Sequence, residues 1–181
     1  DREILRVLVE CCLQEKAFNK YYSLLAAKLC HHDKNHKFSL QYCIWDHFKQ
    51  LESMELRRLA NLARFIADLI GSFSLSISVL KAVDFTDCAV LTSKVVMHFR
   101  ILFENLFTEY SDGVIWNIFT RIANYPELEN LRNGLDLFMQ QHVNKNALTG
   151  EQLGPPESAS LILSKCKVAK KALANVSGVL L

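Results

Sequence analysis

From residue 39 onward, hydrophobic positions recur at helical spacing in three consecutive runs, SLQYCIWDHFKQLE, LRRLANLARFIADLI and SLSISVLKAVDF, with little more than a cap or a glycine between them. Apolar residues three and four apart share one side of a helix, so each run is predicted to bury one face. The same pattern extends in both directions. Residues 4–13 place Ile4, Leu5, Leu8, Val9 and Cys12 together, and residues 19–31 place Tyr22, Leu25, Ala26 and Leu29 together. The polar HDKNHK run interrupts the pattern, after which Ser39 is predicted to cap a third helix over 40–52. A fourth spans 56–70 with Leu59, Leu62, Ala63, Ile66, Leu69 and Ile70 inward, and Gly71 is predicted to end it. A short fifth over 76–83 turns into a loop at Asp84 and Phe85. A long sixth carries Val95, Phe99, Leu102, Phe103, Leu106 and Tyr110. Asp112 is predicted to cap a seventh with Ile115, Ile118, Phe119 and Ile122 inward; Pro126 suits the first turn of an eighth.

Odd-numbered helices begin near Ile4, Leu40, Ser76 and Val114, a period of about 36 to 38 residues, within the range of two-helix solenoid repeats. The repeats share architecture and almost no wording. The expected fold is therefore all-α, a HEAT-like array of antiparallel helix pairs over residues 1–146, followed by a Gly/Pro-containing linker at 147–156, whose polar, linker-like wording NKNALTGEQLGPP already begins at Asn144, and a C-terminal helix or tail at 157–181.

Composition agrees with one ordinary domain, which we expect to be monomeric: of 181 residues 50% are hydrophobic and 22% charged, enough to bury a core. A net charge of +2 is too mild for a protein that wraps nucleic acid through its whole surface. No apolar run approaches the roughly 20 residues a membrane span needs, and the start, DREILRVLVE, lacks a signal-peptide pattern. We expect a soluble intracellular chain, and its abrupt helical start reads as part of something longer. The six cysteines fall mostly at apolar helical positions, which points to a reducing compartment and a packing role.

Candidate chemistry is sparse. Cys30, His31, His32, His36, Cys43 and His47 form the densest set of metal-type ligands, but their spacing fits no closed zinc framework. The vicinal Cys11 and Cys12 have no histidine beside them to activate a thiolate, and no glycine-rich phosphate loop occurs. No catalytic, cofactor-binding or metal-binding residues are expected. Two basic features are candidate RNA contacts: Arg57, Arg58 and Arg64 on the fourth helix, and Lys165, Lys167, Lys170 and Lys171 in the tail. Of these lysines, Lys167, Lys170 and Lys171 share a helical face. Trp45 and Trp116 sit beside the main apolar stripes, suited either to packing between repeats or to anchoring a partner.

The segments REILRVLVECCLQEKAFNKYYSLLAAKLC, FSLQYCIWDHFKQLE, LANLARFIADLI and LSISVLKAVDF, in that order, resemble the MA3 domain of the nucleolar MIF4G-domain proteins, over about residues 1–146. More distantly the layout is similar to the MA3 domains of splicing, translation-initiation and programmed-cell-death factors. The resemblance implies a non-enzymatic, HEAT-like scaffold in the nucleolus, serving pre-rRNA processing and small-subunit biogenesis. It also implies a MIF4G domain upstream and a DEAD-box RNA helicase of the initiation-factor-4A class, or a pre-ribosomal protein, as partner. Some MA3 domains bind such helicases through acidic residues between the fifth and sixth helices, in a Pro-Asp/Glu-Leu-x-x-Asp pattern. Here that loop reads VDFTDCAVLTSK, without the proline, and Asp84 and Asp87 are its acidic candidates. The alternatives are an RNA-contacting structural module, or the MA3 domain of a splicing or translation factor.

Overall fold

The computed structural model describes residues 2–175, and among them every regular element is helical. Nine α-helices are described: α1 Arg2–Gln14, α2 Lys20–His32, α3 Lys34–Phe48, α4 Leu56–Gly71, α5 Ser93–Glu109, α6 Asp112–Ala123, α7 Glu129–Phe138, α8 Lys145–Leu148 and α9 Ser158–Ala174. A 3-10 segment, Ile77–Ala82, stands between α4 and α5, and a π-helical segment, Met139–Asn144, joins α7 to α8.

Side-chain ties reveal two layers. Arg6 meets Asp46 at 3.8 Å and Glu10 meets His47 at 3.3 Å, which sets α1 against α3. In the other layer His98 meets the Leu59 carbonyl at 3.0 Å and Tyr110 meets Asp68 at 3.3 Å, which sets α4 and α5 parallel. Same-layer neighbours that run parallel, with short connections between layers, are the mark of stacked antiparallel helix pairs. One layer holds α1, α3, the 3-10 segment and α6; the other holds α2, α4, α5 and α7 with its π-helical extension. This is the HEAT-like, all-α array expected, with its third pair opened by a 3-10 segment.

The predicted stripes are buried: Leu59, Leu62, Ile66, Phe99, Leu102, Phe103 and Ile118 all lie in the core. Burying one such side chain contributes about 1.5 to 3 kcal/mol, and Phe48, Phe85, Phe99, Phe103 and Phe138 join into one aromatic cluster across the layers. The helix α4 lies deeper than one stripe requires. Asn61, Phe65 and Asp68, at i, i+4 and i+7, form a second buried face. There Asn61 donates to the Cys12 and Glu15 carbonyls (3.2 and 2.9 Å), satisfying the C-terminal end of α1. Asp68 accepts from Ser23 at 2.7 Å and from Tyr110 at 3.3 Å, tying α2, α4 and α5 together.

Several local expectations are corrected. The third helix starts at Lys34, because Asp33 accepts the Asn35 amide at 2.8 Å and turns the polar run into its first turn; Ser39 lies inside the helix. The fifth element is a 3-10 turn, since only six residues separate the cap Ser76 from extended Val83, too few for stable α-helical turns. Ser111, rather than Asp112, caps α6 by accepting the Val114 amide. Ile4 faces outward while Leu5, Leu8, Val9, Cys12 and Leu13 fill the core. Gly71 is the last residue of α4, and its role is room: a β-carbon there would lie 2.2 Å from the Tyr110 ring.

The expected linker is partly helical. Helical structure runs without a break from Glu129 to Leu148, so residues 144–148 belong to the array. The following strap is held down: Glu104, buried in α5, accepts the Leu153 amide at 3.2 and 3.0 Å, and Arg100 donates to the Glu151 carbonyl at 2.6 Å. Burial pushes the Glu104 carboxyl above its ordinary range, opposed by the Leu153 amide and by Arg100. The strap delivers α9 onto α6 and α5, where Ile162, Cys166, Ala169, Ala172 and Leu173 are buried. Residues 176–181 of the expected tail lie outside the described residues.

Candidate partner-binding site

The loop after the 3-10 segment is shaped by its own carboxylates. Asp84 accepts the Thr86 amide at 2.9 Å and the Thr86 hydroxyl at 2.6 Å; Asp87 accepts the Ala89 amide at 2.8 Å. Both side chains are exposed. The Thr86 hydroxyl and then its amide hold the Asp84 carboxyl below the ordinary carboxylate range, because each bond favours the charged form. Between the two carboxylates, Phe85 turns inward and is buried, with its ring 4.8 Å from Phe99 and 5.4 Å from Phe138. Gly134 of α7 makes this seat, since a β-carbon there would stand 2.9 Å from that of Phe85. A buried anchor thus presents two carboxylates to solvent.

Beside the loop lies a groove of about 560 Å³ lined by Trp45, Lys81, Asp84, Glu127 and Asn130 among others. Trp45 is fixed there: its indole N–H donates to the Val79 carbonyl at 2.8 Å, Tyr42 meets it edge-on at 5.5 Å, and the Lys81 ammonium sits 5.7 Å from its ring centroid. Trp45 therefore packs between α3 and the 3-10 segment. Along α3, Phe38 and Tyr42 are 61% and 56% exposed, and on α6 Trp116 is 37% exposed.

Residues 1–76, which hold α1 to α4, match the MA3 domain family model. The chain is 35% identical over 173 residues to human "Nucleolar MIF4G domain-containing protein 1", an overlap of 96% of this chain and 19% of that protein. It is 26% identical over 183 residues to fission yeast "Suppressor of glycerol defect protein 1", covering 97% of this chain and 22% of that protein. Over nearly its whole length the chain is thus similar to one segment of the nucleolar MIF4G-domain proteins. A more distant match, 27% identity over 105 residues, 58% of this chain and 11% of that protein, is the zebrafish "Pre-mRNA-splicing factor CWC22 homolog". The chain spans about a fifth of the length of the human and fission yeast relatives. The human, mouse and fruit-fly relatives are nucleolar by name.

In this MA3 unit the basic candidates separate. Arg58 is drawn into an ion pair with Glu10 at 2.9 Å, and Arg57 stands exposed near Glu55. Burial raises the Glu10 carboxyl, but hydrogen bonds from Arg58 and His47 outweigh it and leave it below its ordinary value. In the tail, Lys165 is corrected: it is 5% exposed and bonds the Tyr110 carbonyl and, at 3.3 Å, Asp112. It joins α9 to the corner between α5 and α6. Lys167, Lys170 and Lys171 remain exposed on the outer face of α9.

The Cys/His set disperses. His36 bonds the Leu29 carbonyl at 3.0 Å, His47 bonds the Cys43 carbonyl at 2.8 Å, and His31 and His32 are exposed. Among the described residues no three His, Cys, Asp or Glu side chains converge on a metal-sized site. Burial pushes the Cys12 and Cys166 thiols up to about 12, and those of Cys30 and Cys43 up to about 11, which leaves them protonated and unreactive at neutral pH. No helix among the described residues is long and apolar enough to cross a membrane.

Proposed function

We propose that this MA3 unit is a non-catalytic docking scaffold in nucleolar pre-rRNA processing and small ribosomal subunit biogenesis. Its occupant is a DEAD-box RNA helicase of the initiation-factor-4A class or a pre-ribosomal protein, received at residues 84–91. The observation that carries this reading is the rigid presentation of Asp84 and Asp87 on either side of buried Phe85. Ionised carboxylates held in one geometry can take arginine side chains with little further ordering. The names of the human, mouse and fruit-fly relatives supply the nucleolar setting. The docked helix α9 is part of the proposed scaffold, because its inner face completes the core over α6.

The test must separate charge from loop shape, since both carboxylates also hold the loop. Asparagine keeps the side-chain oxygen that accepts the loop amides and removes only the charge. In a binding titration against the helicase, replacing Asp84 and Asp87 together by Asn is expected to weaken affinity about tenfold, and replacing both by Lys by about a hundredfold or more. Unchanged affinity in the folded Lys pair removes the loop from the interface.

A further inference from the structure

The strongest unassigned positive patch arises where the chain was expected to be a linker. The helical continuation through the π-helical segment brings Lys145 opposite α9, and a groove of about 460 Å³ between them is lined by Lys145, Lys167 and Lys170 together with Asp136, Gln140 and Asn144. Lys171 extends the row one position further along the same face of α9. None of these four ammonium groups forms an ion pair among the described residues. The one carboxylate lining the groove, Asp136, already accepts the Gln140 amide through both oxygens at 3.2 Å. Burial, followed by the positive charges of Arg100 and Lys145, pushes neighbouring His142 below its ordinary value.

We infer that this groove binds the phosphate backbone of single-stranded RNA. Lys145 on one wall and Lys167 and Lys170 on the other, with Lys171 beside them on α9, can neutralise successive phosphates along a strand, and each neutralised phosphate releases condensed counterions. Lysine suits that task as a point charge, whereas recognition of peptide carboxylates favours the bidentate arginine fork, which the lining lacks. The lining also lacks an aromatic ring on which a base could stack, so the groove reads backbone and not sequence. Gln140 and Asn144 add amide groups able to bond phosphate or ribose hydroxyls. This site shares no residue with the carboxylate loop and stands or falls independently of the helicase reading.

The experiment is fluorescence anisotropy of the 181-residue chain with a labelled mixed-sequence single-stranded RNA of about 20 nucleotides, titrated at several salt concentrations. The unmodified chain is expected to bind with a salt slope that records several phosphates. Replacing Lys145, Lys167 and Lys170 by Glu should weaken binding at least tenfold and reduce the slope of log affinity against log salt by about 2, at roughly 0.7 per phosphate on a single strand. A Lys-to-Gln version of the same triple variant, with its melting curve unchanged, should lose less affinity and a similar slope. A polyglutamate peptide serves as competitor. No measurable RNA binding, an unchanged slope in both triple variants, or tighter binding of polyglutamate than of RNA each overturns the proposal, the last in favour of an acidic protein segment.

Discussion

His98 makes the stability of this domain sensitive to acid. Its imidazole is fully buried in α5 between the edges of Phe48 and Phe99, and only one of its ring nitrogens has a partner. Nδ1 lies 3.0 Å from the Leu59 carbonyl, so Nδ1 carries the proton and Nε2 is left as a bare acceptor in apolar surroundings. A second proton would put a charge in apolar surroundings with no carboxylate beside it. Burial therefore lowers the folded-state value from 6.5 to about 4, with the Leu59 bond opposing. A base whose folded value is depressed contributes stability that is complete above its unfolded value and is lost as pH falls toward the folded one. The loss runs from about pH 6.5 to about pH 4 and amounts to roughly 3 kcal/mol. The perturbation is His98→Leu, which has nearly the same volume and no titrating group. At pH 7.5 it should change stability by no more than about 1 kcal/mol, because it removes one hydrogen bond and one unsatisfied nitrogen together. The assay is denaturant unfolding of both proteins at pH 7.5, 6.5, 5.5 and 4.5. Every other titrating group, the raised Glu104 included, cancels in the difference. The wild-type chain should lose about 2 to 3 kcal/mol more than the variant between pH 7.5 and 4.5. Parallel stability curves would refute the assignment of a neutral, buried His98.

Gly71→Ala should lower stability by about 2 to 4 kcal/mol, because its β-carbon would displace the Tyr110 ring and with it the bonds to Asp68; thermal unfolding measures this, and adding Tyr110→Leu should restore part of the loss. A disulfide reagent should modify exposed Cys11 and Cys88 rapidly in the native protein and reach Cys12, Cys30, Cys43 and Cys166 only on unfolding. Fast reaction of any of those four would place it outside the core.

What the hydrophobic pattern reveals about α4 also explains where it falls silent. The stripe through Leu59, Leu62, Ile66 and Leu69 is legible because alternating burial and solvation leave a period in the sequence. A helix packed on more than one side blurs that period, and Phe65, standing off the stripe, is its trace. Asn61 and Asp68 lie on Phe65's face, so their burial could have been inferred from it; their partners, the Cys12 carbonyl and Ser23, could not, since those contacts depend on how α1 and α2 dock. The same distinction holds for the charged tail. Lys165 falls at the spacing of Ile162, Cys166, Ala169 and Ala172, which marks it as inward-facing once α9 is docked, whereas Lys167, Lys170 and Lys171 occupy the outer turn positions. Helical phase alone separates those four lysines into one structural tie and three surface charges.

Lys145 differs in kind. Its neighbours NKNALTG carry polar residues and a glycine that read as a linker, and only the passage from α7 through the π-helical segment keeps the chain helical there. Each π turn holds more residues than an α turn and re-aims the side chains that follow. Polar composition records that a segment is solvated; it does not record whether the solvated segment is coil or the outer face of a helix held by Met139, Val143 and Ala147 beneath it. The loop at Asp84 and Asp87 makes the converse case. Its carboxylates are legible as exposed and acidic, but the feature that makes them a surface for recognition is Phe85, an apolar residue between them that locks into Gly134's space more than forty positions away. A surface of this kind is specified by long-range packing beneath it, so the residues that confer its rigidity are read from the fold, while those that confer its charge are read from the chain.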